Sequence, residues 1–94
     1  MTDARPPERM PCSCSATIKR YGAVWPVHVA EISTSGCLVT GANLPFKAGD
    51  SVRIAIANLE SLTATVATTS QNIVKVDFER PIHPSVAAHL ASRG

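Results

Sequence analysis

The sequence predicts an all-β fold: a six-stranded antiparallel β-barrel with a short C-terminal α-helix. Three observations predict it. Apolar residues alternate with polar ones in six short blocks, the period of a half-buried strand. Gly-, Ser-, Asn- and Pro-containing turns separate the blocks, as in a small closed barrel that leaves no free edge. In the last dozen residues the apolar period changes from two to about four, which marks a helix. The chain has 94 residues, enough for one domain. It is 45% hydrophobic and 17% charged, a balance that suits a folded domain rather than a disordered one. With only Tyr21, Trp25, Phe46 and Phe78 as aromatics, the core must be mainly aliphatic.

Residues 1–11 read as a flexible polar arm. Pro6, Pro7 and Pro11 block a helix there, and little in it can be buried. Residues 12–94 read as the single barrel domain. Its first strand carries Cys12, Cys14, Ala16 and Ile18 on one face, and Tyr21-Gly22 turns the chain. The second strand carries Val27 and Val29 inward. Ile32 breaks that parity, so the strand must end or bulge near Glu31 before the tight turn Ser33-Thr34-Ser35-Gly36. Cys37-Leu38-Val39 begins a third strand, and Gly41 to Asp50 is a loop. Val52, Ile54 and Ile56 define the fourth strand. Leu62, Ala64 and Val66 define the fifth, from Ser61 to Thr69. A hairpin loop at Ser70-Gln71-Asn72 leads to Val74, Val76 and Phe78 in the sixth. His83-Pro84-Ser85 starts a helix of about 84–92, with Ile82, Val86 and Leu90 in one stripe beside Ala87 and Ala91. So short a helix must dock on the barrel to be stable.

Several functions are excluded. No stretch approaches the roughly 18 apolar residues of a membrane span. The N-terminal residues lack the apolar region of a secretory signal, so a cytoplasmic location is expected. A net charge of +2 with four scattered aromatics does not suit a DNA- or RNA-binding barrel. Cys12, Cys14 and Cys37 form neither a disulfide framework nor a four-ligand zinc pattern, and they read as small core residues. His83 and His89 fall on different helix faces, and His28 points outward. No base, nucleophile and orienting group converge, so no enzyme is expected.

Two motifs remain: Arg5-Pro6-Pro7-Glu8-Arg9, an R-x-x-x-R element in the arm, and Glu31-Ile32-Ser33-Thr34-Ser35-Gly36, an acidic-x-S-x-x-G element at a strand end. In this order, before and inside a six-strand pattern with a terminal helix, they resemble the PilZ domain family, bacterial receptors for cyclic di-GMP. The resemblance extends to Met10-Pro11, to the block from Val27 to Val39, to Leu44-Pro45 through Val52, and to Val74 through Phe78. It departs at Glu31, where the family usually has Asp or Asn. The resemblance implies a PilZ-type barrel that binds cyclic di-GMP through Arg5, Arg9, Glu31, Ser33 and Gly36, with no metal and no other cofactor. Binding would order the arm and signal through a protein partner. The alternative is a PilZ-like adaptor that binds a protein and not cyclic di-GMP, because Glu31 replaces the usual Asp or Asn. The residue types suit the ligand. Arginine forks pair with phosphate oxygens and match the guanine edge. A carboxylate can accept from guanine N1–H and N2–H, a serine can hydrogen-bond base or phosphate, and glycine permits positive φ or close backbone approach to the ligand. Ala4, ahead of the first arginine, leaves the number of bound ligands open.

Overall fold

A computed structural model describes residues 9–57 and 61–93, the side chain of Arg93 excepted. The expectations for residues 1–8, Arg5 included, lie outside the described residues. The strands are β1 (Met10–Arg20), β2 (Ala23–Ile32), β3 (Gly36–Thr40), β4 (Ser51–Ile56), β5 (Leu62–Ser70) and β6 (Ile73–Phe78), followed by the helix α1 (Pro84–Arg93). They form a closed barrel in the order β1-β2-β3-β6-β5-β4, with every neighbouring pair antiparallel. The all-β barrel with a terminal helix is therefore the fold that the periodicities predict.

The inward faces follow the alternation. Ala16, Ile18, Val29, Val39, Val52, Ile54, Ile56, Ala64, Val66, Val74 and Val76 fill the barrel, all buried. The β1–β2 turn is built by Tyr21 at φ 53° and Gly22 at φ 76°, the paired positive values of a type I′ hairpin. Arg20 stacks its guanidinium 4.2 Å from the Tyr21 ring centroid and reaches Asp50 at 3.3 Å, which ties this turn to the start of β4. At the same end of the barrel, the loop between β3 and β4 folds Phe46 into the core. There Phe46 meets Trp25 edge to face at 5.0 Å. Trp25 is thus a packing residue under that loop.

Three register shifts bend the sheet: between Pro11 and Cys14 in β1, between Val29 and Glu31 in β2, and between Val66 and Thr68 in β5. The β2 shift is the bulge that the broken parity predicts. It keeps Ile32 in the core while Glu31 stays on the outer surface. β1 begins two residues earlier than the change of pattern at Cys12, because Met10 and Pro11 pair with Ile32 and Glu31. A proline near the start of a strand, beside a bulge, is tolerated because pairing is interrupted there anyway.

The helix starts at Pro84, and the His83 ring Nδ1 accepts the Ser85 backbone N–H at 3.0 Å, doing the work of an N-cap. Ala87 and Leu90 are buried against β1 and β2. The contact is partly polar: the Cys12 and Cys14 sulfurs lie 3.4 and 3.3 Å from the Leu90 carbonyl oxygen and 3.2 Å from each other. Burial pushes the Cys12 thiol up to about 11 and the Cys37 thiol up to about 12. Both are therefore neutral at neutral pH, Cys37 inside the core and Cys12 half-buried against it. No helix among the described residues is long and apolar enough to cross a membrane.

Truncation of Leu90 removes the main anchor of α1. Leu90→Ala is expected to cost about 2–5 kcal/mol, read from the denaturant midpoint. A second expectation follows from the thiols. Their folded values lie above the ordinary thiol value, so the stability gained by keeping them protonated is intact below about pH 8.5 and lost as pH rises through about 11 and 12. The midpoint should fall across that alkaline window, and more gently in Cys37→Ala.

Candidate functional site

The β2 bulge, the turn after it and the start of β3 build the site. In the turn, the Ser33 N–H donates to the Gly36 carbonyl at 2.9 Å. Its hydroxyl accepts the Ser35 N–H at 3.2 Å and lies 3.3 Å from the same carbonyl. Serine suits this place because one small hydroxyl can satisfy donor and acceptor within a tight turn. Ser33 is 3% exposed, the one buried polar residue among the described residues. The Ser35 hydroxyl, 3.2 Å from the Ser33 hydroxyl, belongs to an exposed residue. The turn is pinned by the neighbouring strand β6 and the chain that follows it: Phe78 N–H donates to the Ser35 carbonyl and Ile82 N–H to the Thr34 carbonyl, both at 2.8 Å.

Gly36 answers a steric need different from the two that the sequence suggests. Its φ is not positive. A Cβ built there would sit 2.2 Å from the Val76 carbonyl oxygen and 3.2 Å from the Asp77 Cα. The close approach is to the protein's own strand β6, and it sets Gly36 directly opposite Asp77.

Arg9 stands just ahead of β1. Its Nη1 lies 3.9 Å from Glu31 Oε1, with the two side chains 44% and 42% exposed. Such an exposed pair contributes about 0–1 kcal/mol, so it orients the arginine more than it stabilises the fold. Arg9, Ser33, Ser35, Gly36, Cys37, Lys75 and Asp77 line a notch of about 90 Å³. Arg9, Ser33 and Gly36, three of the five residues that the resemblance implies, thus line one notch, while Glu31 borders the group through Arg9 and is not among the lining residues. Lys75 and Asp77 were not singled out by the sequence motifs. Their alternation with Val74, Val76 and Phe78 marks them as outward-facing, but only the pairing of β3 with β6 brings them beside Gly36.

The notch holds two cations, one carboxylate and a free-facing serine on an open surface. That set can grip phosphate oxygens and accept hydrogen bonds from a base edge. Of two larger depressions, the one of about 300 Å³ at Ser61, Leu62, Thr63, Glu79 and Arg80 carries one charge of each sign, and the one of about 270 Å³ at Ser13, Cys14, Ser15 and Ala57 carries none. Chemistry rather than size therefore singles out the notch. No group of three or more metal-ligating side chains occurs among the described residues.

The clash at Gly36 is testable. Gly36→Ala is expected to cost about 1–3 kcal/mol, since the strand joint must open to admit the methyl group. Gly22→Asn, at a positive φ with nothing within 4 Å, should change the midpoint little.

Comparison with known families places this geometry in context. The family model described as PilZ domain matches residues 3–92. No curated protein matches the chain.

Proposed function

Since the chain belongs to the PilZ family, a family of cyclic di-GMP receptor domains, we propose that this protein binds cyclic di-GMP on the open face between Arg9 and β6. The family is one of binding and adaptor domains rather than catalysts. The observation that carries the reading is the convergence of Arg9, the Ser33–Gly36 turn and Lys75 on one notch.

The notch is small. Closed small-molecule sites usually measure about 300–1,000 Å³. A ligand with two phosphates and two guanines must therefore lie across the surface and be covered from outside. Arg9 supplies one cation at the rim, and Arg5, four residues upstream, supplies a second as residues 1–8 close over the ligand. Ordering that segment costs about 1–2 kcal/mol per residue fixed, which charge-assisted contacts must offset. Pro6 and Pro7 lower the cost by restricting the free chain. Glu31 holds Arg9 beside the notch, Ser33 fixes the turn, and Gly36 lets β3 lie against β6. The arm and the bound ligand then form a new surface, through which the domain acts on a protein partner.

Calorimetry with cyclic di-GMP at two salt concentrations tests this. A hydrogen bond to a charged group contributes about 1.5–3 kcal/mol, so Arg9→Ala and Arg5→Ala should each weaken binding about tenfold or more. Binding should also weaken with added salt. If the wild type binds no better than these variants, the receptor reading fails and the ligand-independent adaptor replaces it.

A further inference from the structure

We propose that Asp77, and not Glu31, is the carboxylate that reads the guanine base. The inference rests on the cyclic di-GMP reading above and assigns the specificity of that same site.

Two carboxylates lie near the notch, and the structure treats them differently. Glu31 faces Arg9 across 3.9 Å and does not line the notch. The Arg9–Glu31 pair is weak and exposed, so what separates the two carboxylates is position: Glu31 borders the notch and Asp77 lines it. Asp77 lines the notch itself, is exposed, and makes no ion pair among the described residues. It sits opposite Gly36 across the β3–β6 ladder, and its neighbour across β5–β6 is Thr65, a small neutral side chain. Gly36 adds no side chain of its own between Asp77 and the Ser33–Gly36 turn.

The chemistry completes the assignment. Guanine presents two adjacent donors, N1–H and the 2-amino group, on one edge. An ionised carboxylate presents two acceptors and no donor, so the two edges match in a bidentate pair. Lys75, two residues along β6 on the same face, and Arg9 also line the notch and supply its cations for phosphate. The site then divides its labour: cations for the backbone of the dinucleotide, Asp77 for the base. An adenine in place of guanine would turn an acceptor nitrogen toward the carboxylate and be rejected.

The test uses the full chain, cyclic di-GMP, and the inosine analogue that lacks the 2-amino group. The wild type should prefer the guanine ligand by about tenfold or more, the value of one charge-assisted hydrogen bond. Asp77→Ala should bring that ratio to near one and Asp77→Asn, which keeps one acceptor, should lower it, while Glu31→Gln keeps the wild-type ratio and weakens both ligands alike. Equal melting temperatures for wild type and Asp77→Asn show that the fold is intact. The assignment is overturned if the preference survives both Asp77 variants or is lost in Glu31→Gln. If the wild type binds guanine ligand with a preference that ignores Asp77, this assignment alone fails. If the wild type binds neither ligand, the receptor reading fails and takes the assignment with it.

Discussion

β3 and β6 are separated by more than thirty residues of chain, yet they run side by side with Gly36 against the Val76 carbonyl. A side chain at Gly36 would push the two strands apart. The consequences would reach well beyond one ladder, because this pairing completes the barrel between its two halves. It also brings Asp77 and Lys75 beside the Ser33–Gly36 turn, residues that no local motif connects. One missing methyl group thus serves both the closure of the barrel and the assembly of the notch. The same glycine is usually credited with backbone freedom. Here its φ is ordinary, and what matters is the space beside it.

The site joins a rigid half to a loosely held one. The turn is fixed by Ser33 from within and by the Phe78 and Ile82 amides of the neighbouring strand and its continuation. Those last two bonds also fix the chain that leads into α1, so turn, β6 and helix entry share one hydrogen-bonded corner. Arg9, in contrast, is held by a single exposed ion pair. Exchanging such a pair for a phosphate costs little, since both partners are already largely hydrated. A preformed platform under a weakly tethered cation is an arrangement in which binding need not deform the barrel.

Much of this could be read from residue order. The parity break at Ile32 located the β2 bulge because a core strand cannot switch faces without an extra residue. The four-residue apolar stripe located α1, and His83-Pro84 located its first turn. What could not be read depended on partners distant in sequence. Pro11 reads as the end of the arm until Glu31 is found opposite it. Trp25 is an aromatic without a visible partner until Phe46 folds over to meet it. Asp77 and Lys75 looked like two solvated residues on an outer face. Their alternation was legible, but strand order is set by closure of the whole sheet, and no local pattern encodes it.

The departure at Glu31 gains a physical meaning from this arrangement. A glutamate reaches one methylene further than an aspartate from the same outward-facing strand position, far enough to meet the Arg9 side chain ahead of β1. The longer carboxylate is suited to steering the arginine, and the shorter one, Asp77, lies against the notch where an edge-on contact needs little reach. The openness of the notch points the same way. Water is not excluded from a face this shallow, so apolar burial contributes little to binding there. Recognition must then come from paired charges and matched donor and acceptor edges, and each carboxylate is useful only if it has a single task.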